Sequence, residues 1–202
     1  MSTQPEQLLE DNLIAQLIVQ GYEKIPVLDE PSLLANLKSQ LEVFNDVSLT
    51  DGEFEQVMNH LTRSTSVFEK SKVLRDRMGL KREDGEVVYL DFLDAVDFSR
   101  NRFQVTQQVT MEGSYKNRYD VTLLVNGLPL VQIELKRRGL ELKEAFHQIH
   151  RYPRHSFWAG SGLFNFVQLF VISNGVNTKY YANNRKQSFK QTFFWAQEDN
   201  KT

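Results

Sequence analysis

The sequence predicts an α/β domain, a mixed central β-sheet flanked by helices with a helical N-terminal part. Three observations predict it. Apolar residues recur at helical spacing through roughly the first 80 positions. From residue 86 the period shortens, and segments rich in β-branched and aromatic residues alternate. Later, FVQLFVI (166–172) is almost continuously apolar, as a strand inside a covered sheet would be.

The elements follow in order. QLLEDNLIAQLIVQGY places Leu9, Leu13 and Leu17 on one helical stripe with Ile14 and Ile18 beside it, and Gly21 is a natural stop. Pro31 sits near the start of a second helix, in which Leu34, Leu37 and Leu41 repeat. Thr50-Asp51-Gly52-Glu53 has capping-box spacing, where each end residue's side chain satisfies the other's free backbone N–H, so a third helix begins there. SVFEKSKVLRDRM is a fourth candidate, ended by Gly79. Strands are expected at 86–92, 102–110, 119–125 and 129–135, and Asn126-Gly127 signals a hairpin between the last two. Leu142, Ala145, Phe146 and Ile149 form the apolar stripe of a further helix, closed by Pro153. KYYAN and QTFFWA read as short strands. The helical part spans about 5–80 and the sheet core about 86–195.

A length of 202 residues favours one domain, large enough to bury about 70% of its unfolded surface. Hydrophobic residues make up 41% and charged residues 25%, an ordinary globular balance. No apolar run reaches the ~18 residues of a membrane span, and no signal-peptide pattern opens the chain, so no membrane partner is expected. The absence of cysteine excludes disulfides and thiolate zinc sites and favours a cytoplasmic protein. Net charge is only −2, but residues 1–60 hold 11 acids against Lys24 and Lys38, so the remainder carries +7. Attraction to phosphate therefore belongs to the second part.

The segment RYDVTLLVNGLPLVQIELKRRG (118–139) carries the candidate chemistry. Alternation along a strand puts Glu134 and Lys136 on one face, opposite to Ile133 and Leu135, and Asp120 opens the partner strand. Phosphodiester hydrolysis needs an activated water and relief of charge building on the phosphate. Two carboxylates supply hard oxygen ligands for Mg²⁺, with Mn²⁺ as a substitute, and the Leu135 carbonyl can supply another. A lysine beside them can orient the water or stabilise developing charge. Outward Asp, Glu and Lys on a strand are also what plain soluble surface looks like; the hairpin, the basic run and the following helix favour the chemical reading.

That reading makes a geometric demand. A plain two-residue Asn126-Gly127 turn pairs Asp120 with Ile133, on the wrong face from Glu134. A three-residue loop pairs Asp120 with Gln132 and restores the shared face, and a bulge would also do so. An odd-length loop or a bulge is therefore expected.

The next helix carries Gln148 and Tyr152, spaced i, i+4. Residues 134–155 hold six Lys/Arg against three Glu, and Arg137, Arg138, Lys143, Arg151 and Arg154 are the candidate contacts to DNA phosphates. His147, His150 and His155 lack a spaced acidic ligand and read as structural or phosphate-facing rather than as a zinc site. The Phe and Trp residues near 157–170 and 193–195 read as core and strand packing.

The stretch Asn117–Tyr152, NRYDVTLLVNGLPLVQIELKRRGLELKEAFHQIHRY, with QLFVISNG after it, closely resembles the N-terminal nuclease domain of type I restriction enzyme motor subunits (HsdR). Asp…Glu-x-Lys on a hairpin followed by Gln-x-x-x-Tyr on a helix is the pattern of the RecB-like branch of the PD-(D/E)xK nucleases, with Tyr119 in place of the proline. The resemblance implies a restriction-endonuclease-like core. It implies Asp120 and Glu134 as metal ligands, Lys136 as the catalytic lysine, and Gln148 and Tyr152 as residues that assist cleavage or DNA contact. An acidic residue on the first helix often completes such a site; Glu10 is the best match and Glu6 the next. It also implies partners: double-stranded DNA, methyltransferase and specificity subunits, and ATP-driven translocase domains of the same subunit. No G-x-x-x-x-G-K-[ST] phosphate loop occurs in these 202 residues, so ATP is expected only in the parent subunit, of which this chain would be a fragment. The rival readings are a RecB-like exonuclease or junction resolvase, and a catalytically silent DNA-binding or assembly module on the same fold.

Overall fold

The computed structural model describes residues 6–64, 66–112, 116–151, 162–184 and 186–196. Helix α1 (Glu6–Val19) is followed by a two-residue strand β1 (Glu23–Lys24) and by helices α2 (Glu30–Asn45), α3 (Asp51–Thr62) and α4 (Val67–Val73). Strands β2 (Met78–Lys81), β3 (Val87–Leu90), β4 (Phe103–Glu112), β5 (Lys116–Val125) and β6 (Leu128–Leu135) come next. Helix α5 (Leu142–Ile149) precedes β7 (Leu169–Ser173), β8 (Thr178–Ala182) and β9 (Phe193–Phe194). Seven strands form one mixed sheet in the order β1-β4-β5-β6-β7-β8-β9, and β2 and β3 form a separate antiparallel pair. The β6–β7 pair is parallel, with α5 in the connection between them. This is the mixed, helix-flanked α/β architecture that the sequence predicts.

Capping places α2 and α3 as their sequences dictate. Asp29 accepts from the Ser32 amide at 3.0 Å, Pro31 occupies the first turn, and Leu33, Leu37 and Leu41 are buried behind them. The expected capping box opens α3: the Glu53 amide donates to Thr50 Oγ1 at 3.2 Å and the Thr50 amide to Glu53 Oε2 at 2.9 Å. Three expectations need correction. The fourth helix ends at Val73 rather than Gly79, because Met78 and Gly79 pair with Leu90 and Tyr89 in the β2–β3 hairpin. On α1 the buried line is Glu10, Ile14 and Leu17, while Leu9 and Leu13 are half-buried and Ile18 is exposed. Strand β7 is interior to the sheet, but only Phe170 and Ile172 are fully buried; Leu169 and Val171 are half-covered.

Two cores sandwich the sheet. The smaller one joins Ile14 and Leu17 of α1 to Val105, Val121, Ile133 and Leu135. The larger gathers α2, α3, α5 and the β2–β3 hairpin over the other face, with Phe170, Ile172 and Tyr181 among its strand residues. At ~25 cal/mol per Å² of buried apolar surface, a side chain such as Leu37, fully buried against this face, stabilises by about 2 kcal/mol. All four residues of the α5 stripe, Leu142, Ala145, Phe146 and Ile149, are buried as expected.

The β5–β6 hairpin sets the register. Asn126 (φ 49°) and Gly127 (φ 82°) both have positive φ, so the turn is the two-residue primed type and not the three-residue loop. Val125 pairs with Leu128 and Leu124 with Pro129, yet Leu123 pairs with Val131. Leu130 is therefore one extra residue in β6, a bulge beside Pro129, whose missing N–H suits a break in the ladder. Beyond it Val121 pairs with Ile133, and continuing that register sets Asp120 opposite Glu134.

Candidate active site

Because of the bulge, the Asp120 and Glu134 side chains meet. Glu134 acts on the Asp120 carboxyl across the two strands. Glu134 is completely buried and Asp120 nearly so. The Leu135 amide donates to Asp120 Oδ2 at 2.8 Å. Lys136 Nζ donates to Glu134 Oε1 at 3.0 Å, and the Lys136 amide is anchored to the Ser173 carbonyl of β7 at 2.8 Å. Asp120, midway along β5, thus lies together with Glu134 and Lys136 at the C-terminal end of β6.

The electrostatics follow from burial. Desolvation pushes the Asp120 carboxyl above its ordinary range, against the pull of the Leu135 amide and the Lys136 charge, with Glu6 adding to the rise. Lys136 is also desolvated, which alone would lower its pKa. Glu134, Asp120 and Glu6 outweigh that and hold it above the usual lysine value, so it stands as a cation. Two adjacent buried carboxylates cannot both stay ionised without a shared proton or more positive charge than one lysine gives.

Helix α1 brings two more acids. Glu10 is buried, and desolvation raises its pKa, with Gln108 lowering it and Asp120 raising it. Glu6 accepts from the Arg137 amide at 3.2 Å. Both sequence candidates on this helix therefore border the site, Glu10 on the Asp120 side and Glu6 on the Lys136 side. Among the described residues no three or more His, Asp and Glu side chains form a ready metal cage, so Glu10 stands within electrostatic reach of Asp120 without closing a three-carboxylate cluster.

Gln148 is half-buried on α5, and Arg137, Arg138, Lys143 and Arg151 are all exposed. Tyr152 and Arg154 lie outside the described residues. Sequence reading missed Tyr181. Its hydroxyl is buried without a hydrogen-bond partner among the described residues, its ring packs on Phe146 and Phe170, and burial, reinforced by Glu134, raises its pKa. Nothing in KYYAN marks it; only the β7–β8 register, which pairs Phe170 with Tyr181, turns it toward the site face. No helix among the described residues is long and apolar enough to cross a membrane.

A family model described as the type I restriction enzyme R protein N terminus matches residues 3–189. The type I restriction enzyme SauMSSORF170P endonuclease subunit of Staphylococcus aureus is 43% identical over 206 residues, covering 99% of this chain and 22% of that protein. The type I restriction enzyme EcoprrI endonuclease subunit of Escherichia coli is 44% identical over 207 residues, covering 98% of this chain and 66% of its own length. A more distant relative, the putative type I restriction enzyme MjaVIIIP endonuclease subunit of Methanocaldococcus jannaschii, is 29% identical over 175 residues, or 80% of this chain and 17% of that protein. The chain thus spans about a fifth of the staphylococcal relative and two thirds of the enterobacterial one. With the matched model covering nearly all of its length, the chain belongs to the family of type I restriction enzyme R protein N-terminal domains.

Proposed function

We propose that this domain is the Mg²⁺-dependent endonuclease unit of a type I restriction enzyme motor subunit and hydrolyses phosphodiester bonds of double-stranded DNA. One observation carries the reading: Asp120 and Glu134 are buried side by side on neighbouring strands, with the Lys136 ammonium 3.0 Å from Glu134. The donor set fits a hard divalent cation. Both carboxylates are oxygen donors, and their shared burial leaves negative charge that a cation would neutralise. Asp120, Glu134 and the Leu135 carbonyl would hold it. The Leu135 amide already points at Asp120, and in extended backbone a residue's carbonyl projects to the same side as its amide. When bound, Mg²⁺ supplies Lewis-acid polarisation of a phosphate oxygen and a water of lowered pKa.

The remaining work falls to the chain's own residues. Lys136, held as a cation, offsets the negative charge that grows on the phosphate as the P–O bond breaks. The low-dielectric surroundings of Glu134 strengthen that attraction. Exposed Arg137, Arg138, Lys143 and Arg151 carry no sequence information and suit backbone phosphates, which fits an activity whose target is chosen elsewhere. Gln148, half-buried on α5, adds a polar group, and the resemblance gives Tyr152 a shared role with it. DNA recognition, methylation sensing and ATP-driven translocation belong, on this reading, to methyltransferase and specificity subunits and to translocase domains of the parent subunit.

The test is to make Asp120→Ala, Glu134→Ala and Lys136→Ala in the assembled enzyme. Loss of DNA cleavage with ATP turnover retained is expected. Cleavage at the wild-type rate in any of the three rejects the site.

A further inference from the structure

Gln108 sits at an unusual point of the sheet. It lies mid-strand in β4, yet its backbone is left-handed (φ 59°), a conformation that a non-glycine residue adopts at a cost. The β4–β5 ladder pairs Gln107 with Val121 and Val109 with Tyr119, so Gln108 is the residue opposite Asp120. The strand changes cores there: Val105 belongs to the smaller core with α1, and Val109 and Met111 to the larger. The left-handed residue turns the strand over at the position that faces the candidate metal ligand.

The side chain uses that turn. Both hydrogens of one amide go to α1: Gln108 Nε2 donates to Gln7 Oε1 at 2.8 Å and to Glu10 Oε2 at 3.0 Å. On the far side of the site the Arg137 amide donates to Glu6. The first two turns of α1 are therefore clamped from β4 and from the segment after β6. Leu9 and Leu13 pack only partly against the smaller core, and full apolar burial begins at Ile14. We propose that Gln108 is a positioning residue, whose strained backbone and bifurcated amide fix the acidic turn of α1, and Glu10 with it, beside Asp120. The inference rests on the metal-site reading above and names a residue that reading does not use. Strain is retained here because a relaxed residue would lose the α1 clamp.

Gln108→Gly separates the two roles, since glycine accepts the positive φ and cannot hold α1. The first measurement needs no metal. Hydrogen exchange of the α1 amides at 8–12 should speed at least tenfold in Gln108→Gly while exchange in α3 is unchanged; unchanged α1 exchange overturns the clamp. The second is Mn²⁺ titration of the chain. Glu10 beside Asp120 would be an outer-shell partner of the ligands, and losing such a partner costs about 10–100-fold in metal affinity, so half-saturation should rise by about tenfold or more. Gln108→Gly added to Glu10→Ala should cause no further loss. Wild-type Mn²⁺ affinity in Gln108→Gly, or additive losses in the double variant, overturns positioning through Glu10. If the unmutated chain binds no Mn²⁺, the metal-site reading fails instead, and the clamp is decided by hydrogen exchange alone.

Discussion

Glu134 lies across from Asp120 because β6 carries one residue, Leu130, more than β5 between the turn and the site. Without that bulge the two-residue turn would set Asp120 opposite Ile133, a residue of the smaller core, and the two carboxylates would face opposite sides of the sheet. The register, and hence the chemistry, is set by the turn at one end and by one unpaired residue.

The turn itself is the first place to test this. Gly127 has φ 82°, and a Cβ there would lie 2.8 Å from the Leu37 Cα of α2 and 3.2 Å from Gln40 Cβ. Gly127→Ala meets both a left-handed backbone penalty and an overlap that only movement of α2 can relieve. We expect a loss of about 2–4 kcal/mol, or a melting temperature lower by roughly 5–15 °C. A melt within 2 °C of wild type would show that the hairpin does not dock on α2 as described.

Asp120→Asn should stabilise the metal-free chain while abolishing metal binding. Burial raises the Asp120 pKa, so the fold binds more protons than the unfolded chain from the ordinary value of 3.8 up to the raised one. The group's contribution is present at low pH and is lost as pH rises through the raised pKa. Asparagine keeps the shape without the charge. At neutral pH the variant should melt a few degrees higher, for a gain of about 1 kcal/mol, and the gap should close as pH falls toward 4. Mn²⁺ should raise the melting temperature of wild type and leave the variant unmoved. Equal pH slopes for the two proteins would contradict the buried-carboxyl account.

How much of this is legible in sequence depends on the residue. The α5 stripe is read correctly because Leu142, Ala145, Phe146 and Ile149 face a core while their neighbours face solvent. On α1 periodicity finds the face, since Leu17 and Ile14 are buried and Leu9 and Leu13 pack against the same core, but it misplaces the exposed Ile18 and misses the buried Glu10. The Glu-x-Lys spacing shows that Glu134 and Lys136 share a face, and it shows that Asp120 needs an irregularity, but not that Leu130 supplies it. Gln108 and Tyr181 carry no local signal. One is set apart by a backbone angle and the other by which strand lies beside β7, and both are properties of long-range pairing.

Lys136 should act on charge rather than on metal affinity. Its ammonium lies 3.0 Å from Glu134, which with Asp120 and Glu6 keeps it protonated against its burial. Lys136→Met in the assembled enzyme should lower cleavage by about 10²–10³-fold. Mn²⁺ binding should hold or tighten, because a competing positive charge is gone. Lys136→Arg should not restore cleavage, since a planar guanidinium does not reproduce the compact point charge that the ammonium places 3.0 Å from Glu134. Weaker Mn²⁺ binding in Lys136→Met would mean that the lysine organises the ligands instead.

Away from the site, Lys70 gives a prediction with the opposite pH sign. It is almost fully buried, and its ammonium has only the Leu61 carbonyl at 3.1 Å and the Phe166 ring at 4.4 Å, with no acidic partner among the described residues. Burial lowers its pKa from 10.5 to about 8. Between those values the unfolded chain binds more protons than the fold, so this group makes stability rise with pH from about 8 to 10.5. Near pH 7 the fold must hold a charge that only a carbonyl and a ring compensate. Lys70→Met fills the same space without that charge and should raise the melting temperature at pH 7 by a few degrees, for a gain of about 1–2 kcal/mol. At pH 9.5, where the wild-type amine is largely neutral, the advantage should shrink to near zero. A variant less stable than wild type at both pH values would show that the Leu61 hydrogen bond and the ring contact outweigh desolvation, and that Lys70 serves as a cap for the end of α3.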